Sequence, residues 1–338
     1  MTPSTGMGVG TAPVAQLANT LPLSLGGLLS ASWQPLLLQP LLPNQPALSQ
    51  PTMGNQWAYG GQLASNSPLT QWGQQGNLWA YTQAYTQGSR SQVQQSMEVG
   101  NAWAYGEKGS ESFQQSIRKG NGWIYGNGGS DRFLQQAIEG NLWAIGGAQA
   151  DSITQEIWQG NATSYGNGGN NQLSQTVRDG NGWAYGGNQT DRIQQSVRNG
   201  NLWAYGNGGQ DDIQQTVADG TAWIHVSNGG NSQLKQIGQN AHFRVQAQGG
   251  NQTLTQQLIQ GTSQVQTGNG RDRLTLLGSQ AEVWLNLGAG EDTAILSGKK
   301  EDWIHEPSSE SMFPTQLFNT QQQLRVYLSG VETVQFQG

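Results

Sequence analysis

Between Gly100 and Gly220, apolar, small and polar side chains recur with a period of twenty residues. Glycine stands at positions 100, 120, 140, 160, 180, 200 and 220, and Asn follows each of them except the last, where Thr221 does. So short and gapless a period describes one small structural unit stacked on copies of itself. In Asn201-Leu202-Trp203-Ala204-Tyr205 the two aromatic residues lie two apart, on one face of an extended strand, with Ala204 on the other. In Ile213-Gln214-Gln215-Thr216-Val217 the apolar ends share a face, with Gln215 between them. Gly206-Asn207-Gly208-Gly209 and then Gly220 provide corners. Two strands of about five residues and two turns make one coil of a parallel β-solenoid. Helix competes in the Gln-rich half, where Phe113 and Ile117 stand four apart. About eight residues between corners are too few for a stable helix. In Asp131-Arg132-Phe133-Leu134-Gln135-Gln136 the Gln pair is displaced by one, which predicts a local bulge.

Stacked coils place equal positions above one another at about 4.8 Å, so the repeat predicts ladders. One runs Trp103, Trp123, Trp143, Thr163, Trp183, Trp203, Trp223, and a second runs Tyr105, Tyr125, Ile145, Tyr165, Tyr185, Tyr205, His225. Asn at the corner forms a third, and Gln115, Gln155, Gln175, Gln195 and Gln215 a fourth. Such side chains stabilise in-register β stacks. Two arguments oppose each other over the first strand: residue size favours Trp inside, whereas a narrow two-stranded roll favours Ala204 and its equivalents inside. A buried or half-buried Trp ladder is expected, with an outer aromatic stripe as the alternative.

The expected fold is all-β, a parallel β-solenoid (β-roll-like) of about twelve coils, roughly 55–60 Å long at about 4.8 Å per coil. Three regions follow. Residues 1–53 are rich in Pro, Leu and Gln and read as a largely unstructured tail or a docking segment. Residues 54–298 carry the repeats, with looser copies at Gly54–Gly60 and Gly76–Tyr81 whose extra residues belong at turns. After Gly220 the pattern decays, leaving weak strands at His242–Val245 and Val265–Thr267. Residues 299–338 end in Leu324–Phe336, two short alternating strands about a Gly turn, and suit a cap.

Pro interrupts the apolar stretches near the N-terminus, so no membrane-spanning helix is expected. No Lys or Arg precedes Arg90, so a secretory signal with a basic start is not read. Cys is absent, which removes disulfides and thiol chemistry, and a net charge of −6 argues against nucleic acid. Disorder is the alternative that 49 Gly suggest, and 13 Trp, most of them in register, oppose it.

The Gly-rich corner closes on a column: Glu111, Asp131, Asp151, Asn171, Asp191, Asp211, Ser232, then Asp272 and Asp292. Carboxylates about 5 Å apart repel by roughly 1 kcal/mol in water and several times more where screening is weak. The column therefore needs counter-charge, exposure or a cation, and calcium, a hard ion served by carboxylate and carbonyl oxygens, suits it. The alternative is that these Asp simply stabilise turns.

Gly126-Asn127-Gly128-Gly129-Ser130-Asp131-Arg132-Phe133 and Gly206-Asn207-Gly208-Gly209-Gln210-Asp211-Asp212-Ile213 resemble the nonapeptide of RTX (haemolysin-type) calcium-binding proteins. The copies at Gly268 and Gly288 keep G-x-G-x-D, and Leu328–Phe336 is similar to the segment that follows RTX repeats. The units at Gly146 and Gly186 lack the fourth-position Gly. The resemblance implies a β-roll, type I secretion and Ca2+ between coils. Its ligands would come from Asp131, Asp151, Asp191, Asp211, Asp272 and Asp292 with Gly129, Gly209, Gly270 and Gly290. A second resemblance, to curli-type amyloid subunits, rests on the period near twenty with Gln and Asn at fixed places, and implies a fibre.

No catalytic constellation stands out around His225, His242 or His305, so the chain is not expected to be an enzyme. The expected function is that of a secreted structural or adhesive repeat protein of the cell surface or extracellular matrix. Its partners would be copies of itself, matrix components, or glycans stacked on Trp103, Trp123, Trp143, Trp183, Trp203 and Trp223.

Overall fold

The computed structural model describes residues 52–60, 68–82, 90–227 and 230–338. The chain divides into the units Met1–Leu48 and Ser49–Gly338, and the first lies outside the described residues. The second is a parallel β-solenoid of about 11 coils of about 20 residues, with no α-helix among the described residues. Strands such as Ser110–Asn127, Arg132–Gly147 and Ser152–Asn167 pair in parallel, each residue with its equivalent twenty positions on.

Each coil contains one long strand rather than two short ones. The Gly-rich corner interrupts the strand, but the corner at Gly100, Gly120 and Gly140 only bends it, because the ladder continues through Gly120↔Gly140↔Gly160. Gly140 has φ +145, and a Cβ there would lie 1.5 Å from the carbonyl oxygen of Gly120. Backbones meet so closely at this bend that only hydrogen fits. The expected bulge at Asp131–Gln136 is absent: Phe133, Gln135 and Ala137 pair straight with Phe113, Gln115 and Ile117. Leu134 and Gln136 merely replace outward-facing residues.

The coils also persist where the consensus fades. Asp212–Val226, Gln233–Ala247, Thr253–Gln266 and Arg273–Asn286 stack in parallel, one residue being added in the corner before Gln233. What changes is the chemistry of the bend. Asn240, Gln260 and Gln280 take φ of 50, 59 and 53, so a left-handed residue now precedes the bend position, which Ala241, Gly261 and Ala281 occupy in turn. Near the other end, Leu69–Gly73 and Gly76–Tyr81 pair with Val93–Met97 and Gly100–Tyr105 without insertion. The extra residues of those units therefore fall in 61–67 and 83–89, outside the described residues.

The core lies between the two halves of each coil. Ala102, Ala104, Leu142, Ala144, Ala184 and Leu202 point inward from the first half, and Phe113, Ile117, Ile153, Ile193 and Val197 from the second. The narrow interior decides against Trp: the Ala face is buried and the Trp face is outside. One inward column reads Leu78, Ala102, Gly122, Leu142, Ala162, Gly182, Leu202, Ala222. Each Leu leans over the Gly below it, so that a Cβ on Gly122 or Gly182 would meet Leu142 or Leu202 at 3.0 Å. Volume is conserved between neighbouring rungs even where size is not.

Gln shares the interior with these apolar residues. Each Nε2 in the series Gln95, Gln115, Gln135, Gln155, Gln175, Gln195, Gln215, Gln236 and Gln256 donates to Oε1 of the Gln one coil below, at 2.7–3.0 Å. Most also donate to the carbonyl at the Trp position of their own coil, as Gln135 does to Trp143 at 3.2 Å. The column closes where Ser263 Oγ donates to Gln256 Oε1, and Leu276 follows in its place. Buried amides are tolerated here because each rung satisfies the next.

At the C-terminal end the chain completes a coil by a detour. Thr293–Ser297 pairs with Arg273–Leu276, and Leu324–Ser329 pairs with Ala281–Asn286. Between them, Trp303–Pro307 and Thr315–Asn319 form an antiparallel hairpin whose second strand covers the edge of Leu324–Ser329. After Gly330, Thr333–Gln337 stacks in parallel on Thr293–Ser297. The two terminal strands read from the sequence are therefore successive half-coils.

Candidate functional site

The corner carboxylates face inward. Glu111, Asp131, Asp151, Asp191, Asp211, Asp272 and Asp292 are all at most 3% exposed. Each lends one oxygen to the coil below: the N–H groups of Glu111, Asp131, Asp191 and Asp272 donate to Oδ1 of Asp131, Asp151, Asp211 and Asp292 at 2.7–3.0 Å. Asn171 and Ser232 fill the same place, accepting from the N–H groups of Asp151 and Asp211. Gln252 also stands in the column, donating its N–H to Asp272 Oδ1, and Glu332 ends it by accepting from Asp292. Neither belongs to the sequence pattern, since Gln252 is not an acid and Glu332 lies forty residues from Asp292.

The second oxygen is the unusual one. Glu111 Oε2 and the Oδ2 atoms of Asp131, Asp191, Asp211, Asp272 and Asp292 are buried without a hydrogen-bond partner; Asp151 Oδ2 alone accepts one, from the N–H of Gly147. In several coils this oxygen occupies space made by a glycine five residues earlier. A Cβ on Gly126, Gly146, Gly186 or Gly206 would lie 2.1–2.3 Å from the carboxylate oxygen. The Gly of the Trp-Ala-Tyr-Gly run is therefore room for a carboxylate rather than a turn residue. Val226 takes the glycine's place one coil on, beside the smaller Ser232, but Thr267 and Leu287 take it farther along while Asp272 and Asp292 keep the acid.

Burial raises the proton affinity of the column. It pushes Asp131 up to about 8, with the adjoining Glu111 adding to the effect, Asp211 up to about 7, and Asp151 and Asp191 up to about 6. Glu111, Asp272 and Asp292 are raised by the same cause. An unpaired buried oxygen on a carboxylate takes up a proton or a cation to offset lost hydration. For calcium the donor set has one favourable and one unfavourable feature. The unpaired oxygens recur along a column, but each coil frees only one of them, whereas calcium takes six to eight oxygens. Among the described residues no three His, Cys, Asp or Glu side chains are grouped to hold a metal ion. Gly129, Gly209, Gly270 and Gly290 lie where successive corners touch: a Cβ on any of them would come within 2.4 Å of the coil below.

The aromatic ladders occupy the outer face. Trp57–Trp79–Trp103–Trp123–Trp143 stack with ring centroids 4.8–5.0 Å apart and planes within 5°, as does Trp183 on Trp203. Thr163 separates the two runs. The Tyr column stacks beside them, as Tyr105 does on Tyr125 and Tyr185 on Tyr205. Burial, and then the flanking Tyr81 and Tyr125, raise the Tyr105 phenol. Trp223 and His225 lie on the expected columns but tilt away from Tyr205 by 47° and 56°. Within the runs each indole turns its faces to its neighbours and its edge to solvent. Half-buried Trp is thus what the ladder holds, but outside rather than in the core, as the outer aromatic stripe.

No protein-family model, curated protein or solved structure matches the chain.

The three His are dispersed. His242 Nδ1 lies 2.8 Å from Thr262 Oγ1, His225 borders Tyr205, and His305 sits in the C-terminal hairpin. No helix among the described residues is long and apolar enough to cross a membrane.

Proposed function

We propose that the chain is a secreted, non-catalytic solenoid that serves a structural or adhesive role at the cell surface or in extracellular matrix. The observation that carries this reading is the Gln column, in which each amide is satisfied by the rungs beside it. The amide column thereby needs no outside partner, the fold needs no disulfide, and the outer faces are left free to meet partners. In this reading calcium is an accessory at the corners. Asp131, Asp191, Asp211, Asp272 and Asp292 would each give it an oxygen, and it would supply the positive charge that lets the column ionise.

Thermal unfolding followed by circular dichroism at pH 7.5, with calcium, magnesium or chelator, tests this. The expected result is a calcium-specific rise in Tm of several degrees, reduced in Asp211→Asn. Equal Tm under the three conditions removes calcium from the reading.

A fibre-forming role has one observation in its favour, the in-register stacking of Asn, Gln and aromatic side chains. The antiparallel strand Thr315–Asn319 laid over the edge of Leu324–Ser329 works against it.

A further inference from the structure

Within the stacked runs the indoles face one another, whereas members at a break in the column, Trp143 and Trp183 beside Thr163 and Trp284 beside Gln264, stack on a ring on one side only; of these Trp284 lines a cleft. It stacks on Tyr327 at 5.3 Å with planes 3° apart, while its other neighbour along the column is Gln264, which has no ring. On that side lies a cleft of about 390 Å3, lined by Arg244, Gln246, Gln264, Gln266, Trp284 and Asn286 and bordered by Met312 and Phe313 of the C-terminal detour. The volume falls in the range of small-ligand sites.

The lining carries one cation and no acid, whereas other outer-face cations stand beside acids, as Lys119 does with Glu139 and Arg271 with Glu291. Among the described residues Arg244 has no ion-pair partner, and it rests its guanidinium 4.9 Å above the Trp223 ring. Gln246, Gln264 and Gln266 point outward and spend no side-chain hydrogen bond on the protein, in contrast to the Gln series inside. Amides that can both donate and accept match vicinal hydroxyls. A free indole face matches the C–H face of a pyranose, and an unpaired guanidinium matches a carboxylate or sulfate.

We propose that this cleft binds an anionic saccharide, with one sugar ring against Trp284, its hydroxyls on Gln264 and Gln266, and its acidic group on Arg244. The site gives the adhesive reading above a ligand class and rests on that reading. It also moves glycan recognition from the long Trp ladder to the coils where the ladder breaks.

The test is isothermal titration of the full chain with an oligogalacturonate and with a neutral oligosaccharide of the same length. Expected is saturable binding of the acidic probe, about tenfold weaker in Gln264→Ala/Gln266→Ala and in Arg244→Ala. The neutral probe should bind more weakly to the parent and be indifferent to Arg244→Ala. These side chains are exposed and hydrogen-bond to no neighbour, so unchanged circular dichroism is expected for the variants. Absence of saturable binding, or binding unchanged in both variants, overturns the proposal. Recovered probe is checked by size. Cleavage would defeat the non-catalytic reading while leaving the binding site standing, and binding lost in the variants supports the site whatever calcium does to Tm.

Discussion

Gln155 accepts from Gln175 Nε2 and donates to Gln135 Oε1 and to the Thr163 carbonyl, all within 3.0 Å and out of contact with water. Gln155→Leu keeps the volume but removes the donor to Gln135 Oε1 and to the Thr163 carbonyl, and takes one acceptor from Gln175 Nε2, which keeps the Trp183 carbonyl and Ser164 Oγ. Stranded buried groups cost roughly 1–3 kcal/mol each, so the urea midpoint should fall markedly. The adjacent Thr154 points outward, and Thr154→Ala should shift the midpoint little. The asymmetry between these two residues is the check: equal effects would mean that the amide column is not what holds the rungs. A Gln two residues from an Ile reads as polar in any hydropathy pattern, and its burial becomes intelligible only when an identical amide stands above and below it.

At the scale of the coil, the bend at Gly140 and the flat interior position Gly182 make unequal demands on an added methyl group. Gly140→Ala meets the Gly120 carbonyl at 1.5 Å and must hold a positive φ. A cost of at least about 2 kcal/mol is expected, read as loss of cooperative thermal unfolding or a large fall in Tm. Gly182→Ala should cost clearly less, since its φ is not in the left-handed region and the added methyl meets only side-chain tips, those of Leu202 and Gln175 at 3.0 Å, which can give way. The hairpin at the C-terminal end is a second element-level device. Replacing residues 300–321 by a short flexible linker would uncover the edge of Leu324–Ser329, now paired with Thr315–Asn319. The expected outcome is a sedimentation coefficient that rises with protein concentration, against a constant value for the parent chain.

Over the whole solenoid, the inward carboxylates give stability a pH dependence opposite to that of most proteins. Their folded-state values, about 6 for Asp151 and Asp191, 7 for Asp211 and 8 for Asp131, lie above the ordinary carboxylate value of about 4. Between those limits the folded chain holds protons that the unfolded chain has released, so stability falls as pH rises from about 4 to about 8 and levels off above. Without added cation, Tm should be highest near pH 4 and decline through this window. Asp131→Asn, a residue the column already uses at Asn171, should match the parent at pH 4 and exceed it at pH 8. A Tm that rises across the same interval would mean that the carboxylates are ionised in the folded state.

Local periodicity was enough to establish the strand character, the twenty-residue coil, the parallel stacking and the alignment of Trp, Tyr, Asn and Gln into columns, because a repeat that copies its turns must copy its backbone. It also led to the carboxylate column as the chemically distinctive feature, since an acid recurring at one corner is visible in one dimension. Which face was inside depended on the distance between the two halves of a coil. That distance admits Ala104 and Gln115 but not an indole, and no spacing along the chain encodes it. The partnering of Gly126 with Asp131, the unbroken coils beyond Gly220 and the cleft at Trp284 likewise arise between rungs. There, contact is set by what stands above and below, and a left-handed Asn or Gln just ahead of the bend accompanies Ala241 and Ala281 where the repeat had glycine.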